Sequence, residues 1–149
     1  MWRGIAIALI VLAAIPAAAS PSTEEVLHEF HLFGTWTVDC GKPASPANPY
    51  VKVTNPSPGL VLEEHQLSAD GPVNRYSVLA AERLSPTRVA LDVIFQPGNE
   101  SEERERLVLQ VRDGTRRTIF NQAQDGPVLV KDGAVVGHGM KTPLLTKCE

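Results

Sequence analysis

Past its first twenty residues the chain has no apolar run approaching the roughly 20 residues that a helix needs to cross a bilayer. Only two cysteines are present, Cys40 and Cys148. With no C-x-x-C and no histidine beside either one, a thiol redox motif or a cysteine-rich zinc module is excluded. Basic residues are not in excess: 14 Lys and Arg stand against 17 Asp and Glu, a formal charge of −3. That balance argues against nucleic acid or a polybasic membrane surface as partner. Aromatics make up 5% of the chain, a small supply of large side chains that leaves room for a modest cavity. Gly-x-Ser-x-Gly, His-Glu-x-x-His and phosphate-cradling Gly loops are missing. No catalytic constellation, cofactor site or metal site is readable, and the chain is not read as an enzyme.

What is present begins with an address. Met1-Trp2-Arg3 carries one positive charge, residues 4–15 form a short apolar run, and Ala17-Ala18-Ala19 places small residues before Ser20. This pattern predicts a signal peptide over 1–19, cleaved near Ala19, and a periplasmic or secreted mature chain with no membrane span. No cysteine lies at that site to carry a lipid. Arg3 is the only charged residue removed, so the basic count falls from 14 to 13 and the formal charge moves from −3 to −4. About 130 residues remain, enough for one domain with its own core. In an oxidising compartment the two cysteines are expected to pair as Cys40–Cys148. Closing a loop of about 100 residues stabilises by up to about 4–5 kcal/mol through the unfolded state.

The punctuation is that of strands. Asp-Gly recurs at 70–71, 113–114, 125–126 and 132–133, with proline-rich breaks between. Runs rich in Val, Leu, Ile and Thr fall at 35–40, 49–54, 60–67, 74–81, 87–96, 104–112, 115–122 and 127–131, with a last piece at 134–136 or 143–148. Short strands at this spacing predict an all-β fold, a small up-and-down antiparallel barrel of about eight strands, with a two-sheet sandwich as the alternative. In 87–96, Val89, Leu91, Val93 and Phe95 alternate with more polar positions. Asp113-Gly114 suits a two-residue turn that pairs Arg112 with Thr115, Leu109 with Thr118 and Leu107 with Phe120. Leu107, Leu109, Val111, Thr118 and Phe120 then share a core-like face, with Arg116 at its turn end. Arg106, Gln110, Arg112, Arg117 and Asn121 share the wet one. Before the first strand, residues 20–33 predict a short helix. Ser22 and Glu25 fit a capping box, and Val26, Leu27, Phe30 and Phe33 give an apolar stripe. The domain proper is 34–149.

A helical turn entering Gly34-Thr35-Trp36, about eight strands in sequence order, and a cysteine link to the C-terminal segment together resemble a lipocalin or calycin barrel. The resemblance implies that Trp36 packs at the barrel base under a late basic residue, with Arg112, Arg116, Arg117, Lys141 and Lys147 as candidates. It covers most of the mature chain as a pattern and three residues as a motif. The inward rows Val89, Leu91, Val93, Phe95, Leu107, Leu109, Val111 and Phe120 are the candidate pocket or core face, and a hollow interior would favour an apolar small molecule. The competing reading is an interaction module, such as an exported inhibitor of a secreted or cell-wall hydrolase. It would have a filled core, with partner contacts on loops 41–49 or 97–104. Bacterial inhibitors of lysozymes and secreted metalloproteases resemble this outline.

The remaining motifs are weaker. His28 and His31, near Glu24 and Glu25, share a helical face and read as solvated residues, since no further metal ligand is placed by the sequence. His65 and His138 are isolated, Asn99-Glu100-Ser101 is a glycosylation sequon, and the mixed-sign run 100–106 reads as a solvated hairpin tip.

Overall fold

The computed structural model describes residues 19–149; the predicted leader, Ala19 aside, lies outside the described residues. A helix α1 (Thr23–Glu29) precedes ten strands: β1 (Gly34–Thr37), β2 (Tyr50–Ser57), β3 (Leu60–Gln66), β4 (Val73–Ser85), β5 (Arg88–Phe95), β6 (Glu103–Arg112), β7 (Thr115–Ala123), β8 (Val128–Lys131), β9 (Ala134–Val135) and β10 (Leu145–Cys148). Each of β1 to β7 pairs antiparallel with the next. β10 then closes the sheet, pairing with β1 through Thr35↔Cys148 and with β7 through Leu145↔Arg116. The result is a closed eight-stranded antiparallel barrel, β1 to β7 plus β10, with β8 and β9 as an extra hairpin. Full closure leaves no barrel edge to aggregate.

The eighth barrel strand is therefore the last segment, and the run at 127–131 is an appendage. Both readings of the final piece are occupied, since 134–135 and 145–148 are each strands. The two share one edge of β7: Thr115 and Arg116 pair with β10, while Phe120 and Asn121 pair with β8. Asp113-Gly114 and Asp132-Gly133 both hold φ between 52° and 73°, as a two-residue turn with left-handed backbone requires. Asp70-Gly71 has neither residue in that region and turns differently.

The β6–β7 register begins as expected, with Arg112↔Thr115 and Leu109↔Thr118, but Val108 then pairs with Phe120 and Leu107 with Asn121. A bulge at Ile119 is the cause. One extra residue shifts every later side chain of β7 to the opposite face. Phe120 therefore leaves the predicted inward row, and Asn121, expected on the wet face, takes its place. Arg116, expected at the turn end of the core-like face, is 2% exposed, whereas Glu105, which falls in the run expected to be solvated, is only 8% exposed. Strict alternation along β6 sends Glu105 inward with Leu107 and Leu109, so the run 100–106 is only partly a hairpin tip.

One end of the barrel is filled. Ser22 accepts from Glu25 N at 3.2 Å while its own N–H donates to the Glu25 carboxylate at 2.6 Å, completing the capping box. The helix lies over the β2–β3 turn and β4, tied by Gly59 N to Glu24 Oε1 (2.7 Å) and by the Arg83–Glu29 ion pair (2.6 Å). Val26, Leu27, Phe30 and Leu32 join Trp36, Val53, Val61, Val78, Val89, Leu91, Val93 and Leu109 in one buried cluster. Trp36 is 1% exposed, and its Nε1 donates to Leu32 O at 2.8 Å. Two of the five candidate cations face its ring, Arg116 at 5.9 Å and Lys147 at 5.5 Å from the centroid.

Cys40 and Cys148 form a disulfide across a sequence separation of 108, with Cα atoms 5.8 Å apart. It ties the turn after β1 to the strand that closes the barrel. Thiol titration of the native oxidised protein should find no free cysteine. Reduction should lower stability by about 2–5 kcal/mol, read from urea unfolding with and without reductant.

Candidate functional site

The half of the barrel away from α1 is built differently. Loops 38–49, 67–72 and 96–102 and the segment 124–144, which contains the β8–β9 hairpin, gather at this end, and the inward rows turn polar. Glu63 on β3 accepts from Arg116 on β7 through both terminal nitrogens, at 2.8 and 3.1 Å. Both side chains are only 3% exposed. His65, two residues on and so on the same face, lies 2.6 Å from Glu63 Oε1 through its Nε2. Its ring stacks at 4.8 Å on Tyr76, which in turn meets Phe95 at 5.1 Å. Across the interior Asn121 Nδ2 donates to Glu105 Oε2 at 3.0 Å.

Burial shapes the electrostatics. Desolvation alone would raise the Glu63 carboxyl, but the Arg116 guanidinium and His65 outweigh it and hold Glu63 well below the usual carboxylate range. Glu105 enters no ion pair among the described residues, and His65 acts on it only weakly. Desolvation raises its carboxyl, opposed by the Asn121 hydrogen bond. The Tyr76 phenol is pushed upward by burial and then by the Glu105 and Glu63 charges. The interior thus contains one neutralised ion pair and a second carboxylate that disfavours ionisation.

Above Arg116 lies a pocket of about 290 Å³. Val51, Leu67, Leu107, Val130 and Leu145, with Pro46, Pro49 and Pro143, give it apolar walls, while His65, Tyr76, Arg116, Arg117, Thr118, Asn121 and Thr142 supply polar atoms. The Pro46–Pro49 wall is fixed by Asn48, which is 5% exposed. Its Oδ1 accepts from Thr37 Oγ1 and Asp39 N at 2.9 and 2.8 Å, and its Nδ2 faces three carbonyls at 3.1 Å. A wider cleft of about 490 Å³ runs along β5 to β7, but Arg106 there is already committed to Asp92 and Glu82.

Of the eight residues expected on the pocket or core face, only Leu107 borders the 290 Å³ pocket. Val89, Leu91, Val93 and Leu109 are in the packed cluster, with Val111 against it. Phe95 is half-buried beside Tyr76, and Phe120 lies outside the cluster. The polar group Glu63, His65, Tyr76, Arg116 and Asn121 was not anticipated as a site. The available signal was the period-2 row Val61, Glu63, His65 on a strand whose neighbours alternate apolar residues on that face.

His28 stacks on Phe33 at 4.6 Å, and His31 offers its carbonyl to Lys147 Nζ at 2.8 Å. His138 and the sequon are exposed in loops. Among the described residues no group of three or more His, Cys, Asp or Glu side chains converges to hold a metal, and no helix is long and apolar enough to cross a membrane.

These features define a closed antiparallel barrel with a plugged base and a small pocket at its mouth. The chain matches no protein-family model, no curated protein and no solved structure. The likeness to a lipocalin is thus one of architecture: eight antiparallel strands, a short N-terminal helix and a base tryptophan under two cations.

Proposed function

We propose that this is an exported barrel that binds one small, largely apolar molecule in its mouth, as a carrier or sensor related in design to the lipocalins. The observation that supports the reading is the contrast between the two ends, a filled base and a 290 Å³ space with mixed lining at the mouth. Eight strands suffice for one small ligand, and an apolar wall with a few convergent polar groups is the usual form of such a site. Export is supported by the short apolar run before Ala17-Ala18-Ala19 and by the disulfide, which persists in oxidising compartments.

A ligand that binds only the folded state must stabilise it by mass action. A thermal-shift screen of medium-chain acids, alcohols, esters and isoprenoids should raise the melting temperature for at least one class. No shift with any of them would sink the carrier reading. Leu109→Ala, made in the packed half, should cost about 2–5 kcal/mol without altering ligand affinity.

An inhibitor or adaptor is the second reading. It is favoured by Leu129, Val136, Met140 and Leu144, which are 38–66% exposed along β8, β9 and the loop that follows. That surface differs from the two loops expected to carry partner contacts.

A further inference from the structure

Charge is unevenly placed along this chain. Its total is −3, yet residues 104–147 hold eight Lys and Arg against four Asp and Glu. Strands β7, β8 and β9 contain no Asp or Glu, and the two carboxylates of β6, Glu103 and Glu105, fall on its inward row. The register carries one outward row across these strands. Val108 pairs with Phe120, Phe120 with Lys131, Lys131 with Ala134 and Ala134 with Lys141, and residues opposed across antiparallel strands share a face. Leu129, two residues before Lys131, and Val136, two after Ala134, extend that face. The Val136 N–H donates to Leu129 O at 2.9 Å, continuing the ladder. Leu129, Val136 and Met140 are 38%, 51% and 66% exposed, the last two bracketing a turn with left-handed Gly137 and Gly139 (φ 90° and 66°). Lys131 and Lys141 are exposed and enter no ion pair among the described residues.

We infer that the outer face of the β8–β9 hairpin is a docking surface for an anionic lipid bilayer. Leu129, Val136 and Met140 enter the interface while Lys131 and Lys141 meet headgroup phosphates. An apolar contact joined to basic residues is the combination that holds a protein on a membrane without a spanning segment. A stable protein interface buries about 800 Å² on each side, and a hairpin of two short strands is a narrow base for one. The barrel closes through β10 without the hairpin, so lipid contact there leaves closure intact. The opposite face of the same hairpin walls the mouth pocket through Val130 and Thr142, which sets the mouth beside the bilayer. The inference goes beyond the carrier reading and does not depend on it.

The test is co-sedimentation of the oxidised chain beginning at Ser20, which contains the helix and the whole barrel, with vesicles and no added pocket ligand. It should bind vesicles of mixed phosphatidylglycerol and phosphatidylcholine, less as salt is raised, and bind phosphatidylcholine alone far more weakly. Lys131→Gln with Lys141→Gln should weaken binding roughly 25-fold, about 5-fold for each lysine near an anionic surface. Val136→Ser with Met140→Ser should weaken it roughly 10-fold or more through lost apolar burial. All four positions are exposed, and a blue-shifted Trp36 emission checks that each variant is folded. Met140→Trp should add an emission that shifts blue on the anionic vesicles only. No binding to anionic vesicles overturns the inference and leaves the carrier reading standing. Binding that survives both double variants overturns its placement on this hairpin. Self-association that Val136→Ser with Met140→Ser abolishes, read by sedimentation velocity, gives the face to a second copy and overturns it as well.

Discussion

Arg116→Met should be among the most damaging single changes in this protein, lowering stability by about 3–5 kcal/mol, because it strands the Glu63 carboxylate in the barrel interior without its partner. Glu63 and Arg116 are each 2% exposed and joined by two hydrogen bonds, so neither charge has water to fall back on. The double variant Glu63→Gln with Arg116→Met should recover most of the loss, since no charge then remains uncompensated. Urea midpoints of the two singles and the double form the cycle that checks this. If the double variant is no better than Arg116→Met alone, the pair is not the source of the effect.

The same pair gives the stability a definite pH dependence. The folded-state pKa of Glu63 lies below its unfolded value. Its contribution is therefore complete above the unfolded pKa of about 4.3 and is lost as pH falls below it. Glu105 has the opposite sign. Its pKa is raised on folding, so its contribution is complete below the unfolded value and is lost as pH rises. Acid unfolding should thus steepen below about pH 4.5 in the parent protein, and Glu63→Gln should flatten that limb. Glu105→Gln should instead make the protein relatively more stable at neutral pH, read from melting temperatures at pH 4 and 7.

Trp36→Ala should cost about 3–5 kcal/mol, the range for deleting a large buried aromatic. The ring is 1% exposed, bonded to Leu32 O, and lies under Arg116 and Lys147. Its removal opens a cavity where helix, β1 and β10 meet and leaves a carbonyl without its donor. Trp36 is the only tryptophan besides Trp2, so a chain beginning at Ser20 should show a blue-shifted emission that moves red on unfolding. A solvent-exposed emission maximum in the native protein would contradict the closed base.

Gly34 explains why the Gly-x-Trp triplet was informative. It holds φ at 114°, and a Cβ there would meet Lys147 Cε at 3.3 Å. Glycine is required by the backbone, and the lysine that covers Trp36 packs close against it.

The sequence by itself determined the elements and the two ends of the disulfide. Alternation along 87–96 and 104–112 marked Val89, Leu91, Val93, Leu107 and Leu109 as inward. Asp-Gly at 113–114 fixed the first half of the β6–β7 register, and Ser22 with Glu25 marked the helix start. These are local signals, set by turn geometry and a two-residue period. Tertiary structure decided which run closes the barrel, because β8 and β10 compete for one edge of β7 and only the chain's full path apportions it. It also decided the bulge at Ile119, which turned Phe120 out and Asn121 in. The site belongs to the same category. Glu63 and Arg116 are 53 residues apart, and although alternation along each strand puts each on an inward row, no local signal pairs one with the other. Their burial follows only from barrel closure, which places one opposite the other in a space that water does not reach.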